Sequence, residues 1–361
     1  MVARFAPSLT RRVTVEGFGD PFPAPTEKPK LNSHNASPDF RPSASWPVLR
    51  LRAALLTRVR EFFDSRAFLE VETPILSADV VVDRHLDPMS TVLAPDPRIP
   101  DRGRRLYLQT SPEFAMKRLL AAGGEAIYQV TRAFRNGEAG RLHNPEFTIV
   151  EWYRAGDGMH AGIQLLSELA AALLNCPAAE LLSYRDAFVR HAGIDPHTCT
   201  AADLASVAQH RAISLPPWLS AEDRDTWLDL LLVELVEPHL GQDRPTILFD
   251  YLASQAALAR VRPDNPPVAE RFELYMQGIE LANGYHELLS ADVLRCRNAE
   301  NNARRTADGK PPLPEHSRLL AAMEAGLPDC TGAALGFDRV VMLAAGVDSI
   351  DEVLAFPIGR A

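Results

Sequence analysis

Two stretches with strand-like alternation on both sides of a turn limit this chain most, because each fixes which side chains share a face. The first is "AIYQVTRAFRN", a charged loop, then "FTIVEWYRA". The second is "RFELYMQGIELANGYHEL". Successive side chains on a strand point to opposite faces. In "FTIVEWY", Phe147, Ile149, Glu151 and Tyr153 therefore lie on one face, and Arg135 closes the preceding strand. Arg141, His143 and Asn144 sit in the loop between. An aromatic ring, a carboxylate and a phenol beside an arginine are unusual for a plain core. A charged hairpin loop with Arg–Glu pairs is the alternative, and this stretch alone does not decide between them.

In the second stretch, Glu273 and Glu280 would fall on opposite faces of one straight strand. A turn at Gln277-Gly278 changes this. Tyr275 then lies opposite Glu280, and Glu273 becomes its diagonal neighbour on the same face. Two converging carboxylates suit a hard cation, and magnesium prefers one or two carboxylates plus phosphate oxygens. Two solvated glutamates are the alternative. Phe272, Leu274, Ile279 and Leu281 weaken it by giving the other face to a core. Asn283-Gly284 can bend the strand before Glu287. A third stretch, "GAALGFDRVVML", has glycines at 332 and 336 that allow close packing. It places Asp338 and Arg339 at a strand-to-helix junction. An arginine there can reach a polyphosphate; an Arg–Asp pair closing the helix start is the alternative.

The remaining pattern is mostly helical. Apolar residues from Leu49 to Phe63 recur at helical spacing after Trp46. "SPEFAMKRLLAAGG" reads as a helix with Ser111 as N-cap, Pro112 at its first position and Gly123 as stop. Residues 160–240 look mainly helical, and "ADVLRCRNAENNARRTADG" reads as a polar, exposed helix. One α+β domain over residues 46–361 is the simplest account. Residues 1–45, rich in Pro, Ser and Asn, read as a poorly ordered extension, since they lack the apolar run of a signal peptide.

Composition excludes several classes. A net charge of −9 argues against a general nucleic-acid binder. The four cysteines have no C-x-x-C spacing, so neither zinc nor a disulfide frame is expected, and a reducing cytoplasm fits. No apolar run approaches the ~20 residues of a membrane helix.

Taken together, these stretches resemble the signature motifs of class II aminoacyl-tRNA synthetases, the lysyl branch above all. "ETPIL" with Pro74 resembles motif 1, which in that family builds a dimer interface. "FRNGEAGRLHNPEFTIVEWY" resembles motif 2 and "GAALGFDR" motif 3. The resemblance runs from about Trp46 to Ala361. It implies an antiparallel sheet flanked by helices and ATP and Mg2+ as cofactors. Arg135 and Arg339 are implied as the catalytic residues. Arg135 would hold the α-phosphate and the acyl carboxylate, and Phe147 and Arg339 would sandwich adenine. Asn136, Gly137, Glu138, His143, Asn144, Leu281 and Gly336 would complete the nucleotide site. Glu280 would belong to it too, and with Glu273 would bind magnesium. Ser111, Pro112, Glu113, Glu151, Tyr153, Glu287 and Ala334 would surround a lysine-like substrate. Several anionic acceptors there would offset the desolvation of a diamine. Glu113 could otherwise be a first-turn helix glutamate favoured by the dipole.

The family has glutamate, a contact of the adenine amino group, where this chain has Gly137. Glu138 is next to it and could substitute through a shifted loop. About 45 residues precede the synthetase-like region, too few for the β-barrel with which lysyl enzymes read the anticodon. The chain therefore looks like the free-standing paralogues of those enzymes, the elongation factor P–(R)-β-lysine ligases, and tRNA is not the expected partner. Those ligases activate β-lysine with ATP and transfer it to a lysine ε-amino group of elongation factor P. "GIELANGYHEL" and "PDCTGAALGFDR" are close to that family, and Ala334 matches its alanine where lysyl synthetases have glycine. One methyl is worth only ~1–3 kcal/mol of discrimination. A truncated synthetase that charges a tRNA or a small amine is a second reading. A catalytically dead regulator is a third, disfavoured because Arg135, Glu273, Glu280 and Arg339 are all present.

Overall fold

This computed structural model describes residues 40–216 and 219–361. Most of the expected extension therefore lies outside the described residues. Ordered packing starts earlier than Trp46. The Ser43 and Ala44 amides donate to the Ala355 and Leu354 carbonyls, and Ala44 is buried.

The first element among the described residues is helix α1 (Trp46–Asp64), which has proline in its first turn and buries Leu55, Val59, Phe62 and Phe63. Short strands β1 (Leu69–Glu70) and β2 (Leu76–Ser77) follow, then β3 (Ser90–Leu93) and β4 (Arg104–Leu108). Helix α2 runs Glu113–Ala121. Its start is one residue later than expected. Pro112 takes the cap position, and the Ser111 hydroxyl accepts from the Glu113 amide at 3.1 Å. The first hairpin is β5 (Ala126–Phe134) and β6 (Glu146–Ala155). Helix α3 (Met159–Leu174), strand β7 (Glu180–Ser183) and helices α4 (Tyr184–His191), α5 (Ala201–His210) and α6 (Arg224–Leu231) come next. Strands β8 (Thr246–Leu252), β9 (Val261–Arg262), β10 (Val268–Met276) and β11 (Ile279–His286) precede α7 (Ala291–Ala307) and α8 (Arg318–Gly326). The chain ends with β12 (Cys330–Gly336) and α9 (Phe337–Ala345).

The main sheet has the order β1-β5-β6-β12-β11-β10-β8-β7, with β9 on β10; β2-β4-β3 form a second sheet. Among the described residues, only β1–β5 and β7–β8 are parallel pairs in the main sheet. Strand β7, hidden in a stretch that reads as helical, joins the sheet by pairing with β8. One face of the sheet packs Val150, Trp152, Leu274, Ala282 and Leu335 against apolar residues of α1, α3 and α9. Burial at roughly 25 cal/mol per Å² of apolar surface makes this layer one of the two main sources of stability; on the opposite face a larger apolar cluster packs Ile127, Ile149, Leu248 and Ala334 with residues of α2, α4, α6 and α7. The opposite face carries Glu151, Tyr153, Arg271, Glu273, Tyr275, Asn283 and Tyr285, which occupy the alternate positions of the same strands.

The β10–β11 hairpin turns at Gln277-Gly278, both with positive φ, and sets Tyr275 opposite Glu280 as expected. The bend foreseen at Asn283-Gly284 is not there. Instead the register shifts one step earlier: Leu274 faces Ala282, and Glu273 faces Asn283. The extra residue is a β-bulge at Leu281. It places Glu280 and Asn283, three apart, on the same face.

Helix α7 is not wholly exposed. Arg305 is 1% exposed and donates to the carbonyls of Asp83 and Leu86 and to the Asp87 carboxylate. No helix among the described residues is long and apolar enough to cross a membrane.

Candidate active site

The site is built on the polar face of the sheet, in two adjoining parts. Arg135, just beyond β5, is fully buried, with its guanidinium 5.0 Å from the centre of the Phe147 ring. Arg339 enters from the first turn of α9. It donates to the Glu280 carbonyl at 2.6 Å and to the Leu142 carbonyl at 3.3 Å. It also lies 2.7 Å from His143 Nε2. A guanidinium can only donate, so Nε2 accepts and His143 is neutral. Burial, then the Arg339 and Arg135 charges, push its pKa well below the usual histidine range.

Asp338 points away from Arg339. It pairs with Arg52 of α1 at 2.5 Å and accepts from the Thr148 amide at 2.9 Å. The Arg–Asp pair considered for this junction does not form. Asp338 instead ties α1 to α9 and β6, and Arg339 is left to face the cavity.

Glu138, His143, Asn144, Phe147, Gly336 and Arg339 line one small cavity. Glu138 is turned inward, its Oε2 3.7 Å from Arg135. Burial raises its pKa, against the pull of Arg135 and Arg339. Gly137 has a φ of +81°, and a Cβ there would meet nothing within 4 Å. Space is thus not what favours glycine; the left-handed backbone is. That turn leaves Asn136 and Gly137 exposed, outside the cavity, and directs Glu138 into it. Two further residues expected at the nucleotide have their side chains engaged within the protein. Leu281 belongs to the apolar layer on the other face, so only its backbone is near the site. The Asn144 amide is committed to the Glu146 carbonyl and the Ile358 amide, which makes it a brace of the loop.

A second cavity, of about 510 Å³, shares Leu142 and Arg339 with the first and is lined by Glu237, Arg271, Glu273, Tyr275 and Glu280. Glu273 is saturated. Arg271 and Asn283 donate to one oxygen, Tyr251 and Tyr275 to the other. Glu280 differs. Burial first and Glu273 next push its pKa well above the usual carboxylate range, against Arg339. Its Oε1 is buried without a hydrogen-bond partner. An orphaned carboxylate oxygen facing other carboxylates suits a divalent cation, so Glu280 fits magnesium, with Glu237 as a neighbour that sequence reasoning missed. Glu273 would have to exchange protein donors to become a ligand.

The residues expected around an amine substrate lie further along β6 and β12. Glu151 accepts from the Ser111 hydroxyl at 2.7 Å and the Tyr153 hydroxyl at 2.6 Å. Burial raises its pKa, and both hydrogen bonds oppose that. Lys117 of α2 is buried and lies 2.5 Å from both Glu113 and Glu287. Burial raises Glu287, with Lys117 opposing. Ala334 pairs in register with Glu151 on one side and Asn283 on the other, so its methyl belongs to this floor. Pro112 is buried at the head of α2. A Cβ on Gly332 would stand 2.3 Å from the Tyr153 ring, so glycine there makes room for the phenol. Lys117 was missed from the sequence. Its signal is the i, i+4 spacing from Glu113, which normally marks an exposed helix pair.

The arrangement can bind a polyanion beside a polycation and polarise the junction between them. The buried Cys330 thiol is pushed up to about 12 by burial, then by Glu287, so it is no nucleophile at neutral pH.

Comparison with known proteins agrees with this geometry. Residues 30–360 match the family described as tRNA synthetases class II (D, K and N). A protein of Klebsiella pneumoniae named elongation factor P–(R)-β-lysine ligase is 50% identical over 322 residues, 89% of this chain and 98% of that protein. Its namesake in Proteus mirabilis is 47% identical over 323 residues, 90% of this chain and 98% of the relative. The one in Salmonella typhi is 47% identical over 322 residues, with coverage of 89% and 98%. The chain belongs to the class II (D, K and N) tRNA synthetase family and groups there with the elongation factor P–(R)-β-lysine ligases.

Proposed function

We propose that this chain activates (R)-β-lysine with ATP and transfers it to a lysine ε-amino group of elongation factor P. The observation that carries the reading is the buried set Glu113, Glu151 and Glu287, adjoining an Arg135–Arg339 nucleotide site. Lys117 offsets only one of the three negative charges by pairing with Glu113 and Glu287, and a diamine would supply the remaining cationic donors.

In the first step a carboxylate oxygen of β-lysine attacks the α-phosphorus. The bond to pyrophosphate breaks, and pyrophosphate leaves with the electron pair. Arg135 stabilises the charge at the α-phosphate, and Arg339 that on the leaving phosphates. Magnesium, held by Glu280 with Glu237 or Glu273, would neutralise phosphate charge. Neutral His143 keeps Arg339 aimed by accepting its hydrogen bond. Glu138 occupies the place that the missing glutamate at 137 would serve and meets the adenine amino group. In the second step the acceptor amine attacks the acyl carbon, an amide forms, AMP leaves, and protons pass to solvent. Positioning and electrostatics supply most of the acceleration.

The enzyme acts in the cytoplasm as a homodimer. Leu69, Ile75 and Leu76, in the motif 1 segment at the sheet edge, are exposed apolar residues that a second copy would cover. Its four cysteines are free thiols.

The test is mass spectrometry of elongation factor P incubated with the enzyme, ATP and (R)-β-lysine, with tRNA present as a competing acceptor. One β-lysyl addition to the factor is expected. An unmodified factor alongside charged tRNA would overturn the reading.

A further inference from the structure

Four successive residues of the loop between β5 and β6 are fastened to chain that follows Asp338. Arg141 is held twice: its guanidinium donates to the Asp348 carbonyl at 3.0 Å, and its carbonyl accepts from the Ile350 amide at 2.8 Å. The Leu142 carbonyl and His143 Nε2 accept from Arg339. Asn144 Oδ1 accepts from the Ile358 amide at 2.9 Å. Ile350 is buried and lines the small nucleotide cavity beside Glu138, His143 and Phe147. Within the loop, Gly140 and His143 exchange a pair of backbone hydrogen bonds, while Gly140 and Arg141 themselves are exposed. An exposed loop of this kind keeps one shape only where something outside it holds it.

The fastening segment is itself held in two ways. Ile350, Val353 and Leu354 insert into the apolar layer formed with α1, α3 and α9. Beyond Leu354 side-chain burial is partial, with Phe356 51% and Ile358 54% exposed. Hydrogen bonds to residues 41–44 take over there. The Leu354 and Ala355 carbonyls accept from the Ala44 and Ser43 amides, and the Arg360 guanidinium donates to the Arg41 carbonyl at 2.9 Å. Residues 41–44 are thus connected to the nucleotide loop through residues 354–360.

We propose that residues 348–360 are a strap that positions the nucleotide loop for ATP, with Ile358 as a positioning residue acting through Asn144. The strap need not touch ATP. It keeps Glu138 and His143 turned into the cavity, so that ATP meets a loop already ordered. A loop in that arrangement only about a tenth of the time would bind ATP about tenfold more weakly. The role rests on the reading of the Arg135–Arg339 cavity as the ATP site and is independent of the acyl acceptor.

Ile358→Pro deletes the amide that Asn144 accepts from and disturbs little else. Position 358 opens a single helical turn, Ile358–Arg360, where proline fits. Pro357 already has the extended backbone that a residue before proline needs, with φ −67° and ψ 165°. In ATP–pyrophosphate exchange, KM for ATP should rise about tenfold, while kcat and KM for β-lysine stay within about twofold of the parent enzyme. Ile358→Ala keeps the amide and should restore the parent's KM for ATP. Arg360→Ala, at the far anchor, should raise that KM about threefold. Amide hydrogen exchange should quicken over residues 137–144 in Ile358→Pro and not over β6. Should thermal melting show Ile358→Pro to be unfolded, Arg360→Ala carries the same test from an exposed position. An unchanged KM for ATP in both variants would overturn the proposal. So would an equal rise in the two KM values, or the same loss in Ile358→Ala. A folded parent enzyme that exchanges no pyrophosphate would instead remove the nucleotide reading on which the strap depends.

Discussion

The two faces of the central sheet are made by the same strands and do opposite work. On β10, Phe272 and Leu274 face the helix layer, whereas Arg271, Glu273 and Tyr275 face the cavity. On β6, Val150 and Trp152 lie in the apolar layer, and Glu151 and Tyr153, joined by a hydrogen bond, lie on the opposite face. The apolar face is stabilised by burial alone and tolerates volume-conserving change. The polar face buries charges that are stable only with partners in place. The site residues share their face with a second apolar cluster, so the contrast holds position by position: buried charges there and purely apolar positions one residue away should fail in different ways.

Arg339→Ala attacks the polar face most directly. Adenylate formation should fall about a thousandfold or more, the scale of losing a main transition-state donor, in variant protein that thermal melting shows to be folded. Pyrophosphate exchange measures it, and surviving activity would remove Arg339 from the phosphate site. Leu274→Ala is the matching change on the other face. It should cost ~2–5 kcal/mol of stability by opening a cavity. Denaturant unfolding measures that cost, and KM for ATP and β-lysine in the folded fraction should not move. If Leu274→Ala impaired catalysis before stability, the separation of the faces would fail.

Much of this contrast is legible in the sequence. Alternation in "FTIVEWY" identifies the Glu151–Tyr153 face, and the Gln277-Gly278 turn fixes Tyr275 opposite Glu280. The bulge at Leu281 has no local signature. It reconciles the short turn with the register that β12 and β8 impose on either side of the hairpin. Burial of Lys117 was equally hidden, because it depends on Glu287 arriving from the far end of β11. Gly137 was conspicuous in sequence, but only its left-handed backbone shows why Glu138, and not Asn136, turns inward.

Glu280 gives a subtler test of the polar face. Its raised pKa means that the folded protein holds a proton there above the ordinary carboxylate range. Bound magnesium must expel that proton, so metal affinity should rise with pH until the raised pKa is passed. Calorimetry of Mg2+–ATP binding in buffers of different ionisation enthalpy should show proton release, and Glu280→Gln should abolish it. Release unchanged in the variant would assign the metal elsewhere. The smallest effect belongs to Ala334→Gly. Removing its methyl should raise use of α-lysine relative to β-lysine by about tenfold, the value of roughly one methyl in a pocket. An unchanged ratio in competition assays would free Ala334 from any part in specificity.

The account stands most directly on the claim that the polar face activates an amino acid bearing two amines. ATP–pyrophosphate exchange with (R)-β-lysine, set beside its analogue lacking the terminal amine, measures that. Robust exchange with β-lysine and at least a hundredfold lower kcat/KM with the monoamine, about 2.8 kcal/mol at 1.4 kcal/mol per tenfold, is the predicted result. Equal use of both compounds, or exchange with neither, would contradict it.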